Sequence, residues 1–152
     1  MATTTDTITD LTVDLDDGRR IPLSELAGGD HLVVFFYPKA FTGGCTAQAC
    51  HFRDLGAEFA ELGARRVGVS RDDVDTQARF SAEHRFDYPL IADPGGTIAK
   101  AFGAKRPGPV PSKRQTLVLD GDLQVLHRIA SETDMDVHAD DALAFLRQLR
   151  AG

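Results

Sequence analysis

Cys45 and Cys50 supply every thiol in this chain of 152 residues, and they stand five positions apart. In a reducing compartment such a pair is a poor structural disulfide and a better reacting group. Cys45 directly follows Gly43-Gly44, with the Thr42 hydroxyl three residues before the sulfur. If a helix begins here, its unpaired N–H groups and partial positive charge favour an anion, and the thiolate is the nucleophilic form of cysteine. The two glycines let the backbone approach a small ligand closely. The plainer alternative is a small core residue, as free cysteines often are.

Other chemistries compete for the same residues. A zinc site would draw on Cys45, Cys50 and His51 with His84, His127 or His138, but Cys-x4-Cys lacks the paired spacing of structural sites and no second pair exists. A thiol–disulfide oxidoreductase normally carries Cys-x-x-Cys, which is absent. A redox-sensing or chaperone-like module could use thiol oxidation to change shape without turnover. His31 and His138 are read as surface or packed residues with no role. A reaction that moves negative charge along a bond from the thiolate needs donors at both ends, and a guanidinium is always protonated. Periodicity does not choose among Arg53, Arg71 and Arg114.

The elements that must position these groups follow from apolar patterning. Leu32–Tyr37 is a buried strand ended by Tyr37-Pro38. From Cys45 to Leu62, Phe52, Leu55, Phe59 and Leu62 make one stripe of an amphipathic helix, with Cys50 nearly opposite it beside Arg53, Asp54 and Glu61. Five helical residues rise about 7.5 Å and turn roughly 500°, which separates the two cysteine Cα atoms by about 8–9 Å, more than the ~7 Å a disulfide tolerates. The thiols can bond only if the helix start unwinds.

Val67–Ser70 is a second strand, and Val74–His84 a second helix with Asp72 or Asp73 as N-cap. Tyr88–Asp93 is a weaker strand, and Pro94-Gly95-Gly96 turns into a short helix over Thr97–Phe102. Lys105–Ser112, with three prolines, is an irregular loop. Thr116–Leu119 and Leu123–Ile129 form a hairpin about Asp120-Gly121-Asp122, and Val137–Leu149 is a closing helix. The pattern predicts an α/β fold: a mixed central sheet with helices on both faces, parallel strands joined by helices and one antiparallel hairpin.

Size and charge narrow the class. A chain of 152 residues is expected to form one domain, residues 1–152, with a core of its own. An excess of 23 Asp+Glu over 17 Lys+Arg argues against nucleic acid as a partner. The longest apolar run, Leu32–Tyr37, is far short of the ~18 residues a membrane helix needs, so no membrane association is expected. Met1–Asp10 lacks the basic and apolar segments of a secretory signal, and a cytoplasmic location is the expectation.

The run from Phe35 to Asp54, centred on Pro38-x3-Thr42-x2-Cys45, resembles the active-site segment of the peroxiredoxins. Cys45-x4-Cys50 followed by Phe52-Arg53-Asp54 is similar to their Q-type branch, the bacterioferritin comigratory proteins. Phe86–Leu90 and Arg114–Asp120 extend the likeness, which covers about residues 31–150. The resemblance implies a thioredoxin-like fold, with Cys45 as peroxidatic and Cys50 as resolving cysteine, and Pro38, Thr42 and Arg114 completing the pocket. It further implies reduction of hydrogen peroxide and organic hydroperoxides without a cofactor or a metal, and regeneration by a thioredoxin-type dithiol. Attack by Cys45 yields a sulfenic acid that Cys50 condenses to a disulfide. With no third cysteine near the C-terminus, no resolving arm comes from a second subunit, and a monomer is expected. Three departures stand out: Gly43 where the branch commonly has Pro, Gln48 where it commonly has Glu, and no recognisable Ala-Pro-x-Phe opening in Thr7–Val13.

Overall fold

The computed structural model describes residues 7–106, 108 and 111–151. Pro107, Pro109 and Val110, from the loop expected at Lys105–Ser112, lie outside the described residues, and those described around them form no helix or strand. The chain folds as β1 (Thr12–Leu15), β2 (Arg20–Pro22), α1 (Leu23–Ala27), β3 (His31–Phe36), α2 (Gly43–Asp54), α3 (Gly56–Glu61), β4 (Ala64–Ser70), α4 (Val74–His84), β5 (Leu90–Ala92), α5 (Thr97–Phe102), β6 (Gln115–Leu119), β7 (Val125–Ala130) and α6 (Val137–Ala151). One seven-stranded sheet results, in the order β2-β1-β5-β4-β3-β6-β7. β3, β4 and β5 run parallel, while β6 pairs antiparallel with β3, β7 with β6, and β1 with both β2 and β5.

The apolar run of β3 is explained by burial on both faces. Leu32, Val34 and Phe36 point into a core closed by α1 and α5 residues such as Leu23, Leu26, Ile98 and Phe102. Val33, Phe35 and Tyr37 alternate into a second core with Cys45, Ala49, Phe52, Phe59, Phe80 and Leu143 of the helices on the other face. The mixed sheet with helices on both faces is thus as the sequence predicts, and its thioredoxin-like architecture places the start of α2 beside the carboxyl end of the central strand.

Several boundaries differ from expectation. The helix predicted over 45–62 is two, broken at Leu55 (φ −96°, ψ 17°). The Phe52 carbonyl, which a continuous helix would give to Gly56, accepts instead from Arg66 Nη1 at 2.7 Å. Asp87 grips the same guanidinium at 2.9 Å through both oxygens. The stripe survives the break: Phe52 and Phe59 are buried, and Leu55 and Leu62 partly so. β1 and β2, which the unrecognised opening left unplaced, make a second antiparallel hairpin. β7 begins at Val125 and not Leu123, because Leu123 is left-handed (φ 64°) and the Asp120 carboxylate accepts from the Asp122 and Gln124 amides. β5 is shorter than Tyr88–Asp93, since Asp93 leaves the strand to accept from Ile98 N and Ala99 N at the start of α5. α4 keeps its predicted bounds, with Asp73 as the cap.

Candidate active site

β3 delivers the chain to the site, and Tyr37 anchors the exit. Its amide donates to Val69 O at 3.1 Å and its hydroxyl to Gln77 Oε1 at 2.6 Å, with burial pushing that hydroxyl well above the usual phenol range, so it stays a neutral donor. Half-buried Pro38 turns the chain out of the strand, its ring fixing φ. Ala40 N then donates to Asp72 Oδ2 at 2.8 Å, a carboxylate itself held by Ser70 Oγ at 2.6 Å. Phe41 takes a positive φ of 66°, uncommon for a bulky side chain, and its ring rests on Phe80 and under Arg79.

Thr42 is the N-cap of α2, extended at ψ 153°. Its hydroxyl donates to Lys39 O at 2.8 Å, so toward a ligand the oxygen is an acceptor. Helical bonding starts with Thr46 N to Thr42 O at 2.9 Å, which leaves the amides of Gly43, Gly44 and Cys45 without a helical acceptor. Cys45 lies in the first turn, 1% exposed and packed against the core, and both thiols are free. A Cβ on Gly43 would meet nothing within 4 Å, so its departure from Pro changes stiffness and not shape. Gly44 is different: a Cβ there would lie 3.2 Å from Met135 Sδ and 3.4 Å from Arg114 Nη2. A side chain there would crowd Met135, and the Arg114 guanidinium lies against the residue before Cys45.

Of the three arginines, the structure brings Arg114 to the helix start. Arg53 bonds Asp54 and the His84 carbonyl, and Arg71 bonds the carbonyls of Pro94 and Gly108. Arg114 is 7% exposed and donates through Nη1 to Gln48 Oε1 at 2.5 Å, while its amide donates to Glu132 Oε2 at 3.0 Å. Cys50 lies further along intact α2, half-buried, and burial pushes its thiol up while Arg53 pulls it down.

Sequence reasoning noticed Gln48 only as a departure and missed Met135, the Asp72 clasp and Tyr88, whose buried hydroxyl donates to Ala49 O of α2 at 2.7 Å. One signal was available: Cys45, Gln48, Ala49 and Phe52 share the buried face of α2, and an amide on such a face needs a partner. The histidines weighed as zinc ligands are dispersed. His51 bonds Asp140 at 2.7 Å, His84 packs on Phe80 and Phe86, His127 stacks on Phe145, and His138 is fully buried.

A thioredoxin-like sheet whose central strand leads into a helix with a buried cysteine in its first turn, faced by a buried arginine, defines the class of thiol peroxidases. Residues 4–128 match the AhpC/TSA family model, and the chain belongs to that family, the peroxiredoxins. It is 51% identical to the peroxidoxin BcpB of Mycobacterium tuberculosis, whose crystal structure matches at a TM-score of 0.92 over 97% of each chain. It is 37% identical over 135 residues to the chloroplastic peroxiredoxin Q of Gentiana triflora, covering 86% of this chain and 60% of that one. A structure of the Xanthomonas campestris bacterioferritin comigratory protein, described with its alkyl peroxide reduction activity, matches at 32% identity and a TM-score of 0.84, over 95% of this chain and 99% of that one. The activity is therefore that of a thiol-dependent peroxidase. Among the described residues no helix is long and apolar enough to cross a membrane.

Proposed function

We propose that Cys45 is the peroxidatic cysteine, that Cys50 of the same chain resolves it, and that a thioredoxin-type dithiol restores both thiols. The observation that carries this reading is the Arg114 guanidinium lying against Gly44 at the start of the helix that bears Cys45. The Cys45 thiolate attacks the terminal peroxide oxygen, the S–O bond forms as the O–O bond breaks, and the departing hydroxide or alkoxide takes up a proton. Sulfur loses two electrons to the peroxide. Negative charge thus spreads along the O–O axis, where Arg114 and the free amides of the first turn act as donors and Thr42 Oγ accepts a hydrogen bond from the peroxide O–H. Pro38 shapes the turn that brings Thr42 to the site. Half-buried Met135 and 42%-exposed Phe41 give the helix start an apolar border, which supports organic hydroperoxides beside hydrogen peroxide as substrates.

Cys50 then displaces water from the sulfenic acid to give the disulfide. Both thiols lie on one helix, which supports resolution within a monomer. Intact α2 keeps them too far apart, so its first turns must open.

The test is the mass and disulfide map after one equivalent of hydrogen peroxide. The expected product is an intrachain Cys45–Cys50 bond, two hydrogens lighter, and in Cys50→Ser an added oxygen on Cys45. Turnover with thioredoxin should vanish in Cys45→Ser. Full turnover in Cys50→Ser would show the resolving assignment to be wrong, and stoichiometric oxidation without turnover would favour a sensor.

A further inference from the structure

His138 has no part in the reaction as described so far, yet both of its ring nitrogens are engaged. Nε2 lies 2.8 Å from the Ser131 carbonyl oxygen, and Nδ1 lies 2.8 Å from Thr116 Oγ1. A carbonyl only accepts, so Nε2 carries the proton and Nδ1 accepts from the Thr116 hydroxyl, which selects a single neutral tautomer. Thr116 is two residues beyond Arg114, in β6, which begins at Gln115.

The segment that His138 grips is the one that frames Arg114. Ser131 N donates to Arg114 O at 3.4 Å. Glu132 Oε2 accepts from Arg114 N at 3.0 Å and pairs with Arg106 Nη2 at 2.9 Å. Asp134 N closes a turn on Ser131 Oγ, and the next residue, Met135, lies over Gly44. Residues 131–135 therefore touch the Arg114 backbone on both sides and the start of α2.

We propose that His138 is a positioning residue for the peroxide step: bridging Thr116 and the Ser131 carbonyl, it clamps this segment to β6 and so holds Arg114 where its guanidinium meets Gly44 and Gln48. This rests on the reading of Cys45 and Arg114 given above. A side chain of similar bulk without hydrogen bonds would leave the pocket filled and the segment loose. Arg114 would then sample orientations in which it does not face the reacting oxygens.

The test is the second-order rate constant of the reduced protein with hydrogen peroxide, measured by competition with a haem peroxidase so that no reductant enters. His138→Leu is expected to lose about tenfold, the scale of one hydrogen bond that positions a charged group. His138→Gln, which restores a donor toward Ser131 O, should recover most of it. The deciding readout is a double-mutant cycle: in an Arg114→Met background, His138→Leu should cost less than about twofold, because the group it positions is gone. An equal loss in both backgrounds, or no loss in wild type, overturns the proposal. Thr116→Val leaves the ring in place and serves if His138→Leu does not fold; a loss of about threefold that depends on Arg114 is expected, and an Arg114-independent loss overturns the proposal. Failure of the underlying reading is separately visible as an unreactive wild-type Cys45.

Discussion

Arg114 donates to the neutral amide of Gln48 at 2.5 Å, inside a site from which both side chains are largely shielded from water. The bond orients the guanidinium without cancelling its charge. Among the described residues, Gln48 Nε2 and Arg114 Nε have no hydrogen-bond partner, so donors remain beside the helix start. Gln48→Glu converts this contact into an ion pair and takes positive potential away from Cys45. It should slow the peroxide step of the reduced protein about threefold. Gln48→Leu removes the acceptor and leaves a buried guanidinium unheld, with an expected loss of about tenfold or more. A faster Gln48→Glu enzyme would contradict this account.

The two ends of α2 are held unequally. Tyr88 OH donates to Ala49 O at 2.7 Å, Arg66 Nη1 to Phe52 O at 2.7 Å, and the Phe52 ring stacks on Phe35 with centroids 4.1 Å apart. The start, by contrast, is two glycines. Opening for the disulfide should therefore be confined mainly to residues 43–48, and amide hydrogen exchange in the two redox states should show protection lost there and kept over 51–54. Tyr88→Phe frees the Ala49 carbonyl of one bond of about 0.5–1.5 kcal/mol and should speed disulfide formation by roughly two- to tenfold while sparing the peroxide step. The chain has no Trp, so quench-flow mass spectrometry is the suitable readout. Uniform loss of protection from 43 to 54 would refute the asymmetry.

Much of this frame was legible in the sequence because it rests on local rules. The unbroken apolar run Leu32–Tyr37 encodes a strand buried on both faces, and Asp73 with the following helix pattern encodes α4. What escaped was made of long-range contacts. Nothing local announces that Arg66 will take the Phe52 carbonyl and split a helix whose stripe continues past Leu55. Residue pattern did not separate Arg114 from Arg53 and Arg71, and only the resemblance singled it out, because its place against Gly44 at the helix start is made by the tertiary fold. Gln48 and His138 were legible as residue types and not as partners, since their hydrogen bonds span 66 and 22 residues of sequence.

Gly56 follows the helix break, and a Cβ there would fall 2.7 Å from Asp87 Oδ2 and 3.0 Å from Arg66 Nη2. Its backbone is not left-handed, so crowding alone is at stake. Gly56→Ala should destabilise by about 1–2 kcal/mol, measured by urea unfolding, by pushing Asp87 off the guanidinium that holds Phe52 O. In an Asp87→Ala background most of that loss should disappear. A loss unchanged by removing Asp87 would place the strain elsewhere.

His138 makes folding sensitive to mild acid. Burial, aided by the Arg114 charge, lowers its pKa from the usual 6.5, against the raising effects of the Ser131 carbonyl, Glu132 and Asp134. The folded state then binds fewer protons than the unfolded chain below that value. By linkage, the neutral ring's contribution is fully present above about pH 6.5 and is lost as pH falls toward the folded pKa. Carboxyls complicate the raw curve: Asp87, lowered chiefly by its bond to Arg66, loses its contribution below about pH 3.8, while Asp16 and Asp93, raised by burial, act with the opposite sign. Subtracting the His138→Leu stability curve from that of wild type removes these shared terms. The difference should favour wild type most above pH 6.5 and shrink steadily through pH 6 and 5. A difference flat across that window would mean that the imidazole stays unprotonated in both states or is equally free to titrate in both, and that its buried neutral form contributes nothing pH-dependent to the fold.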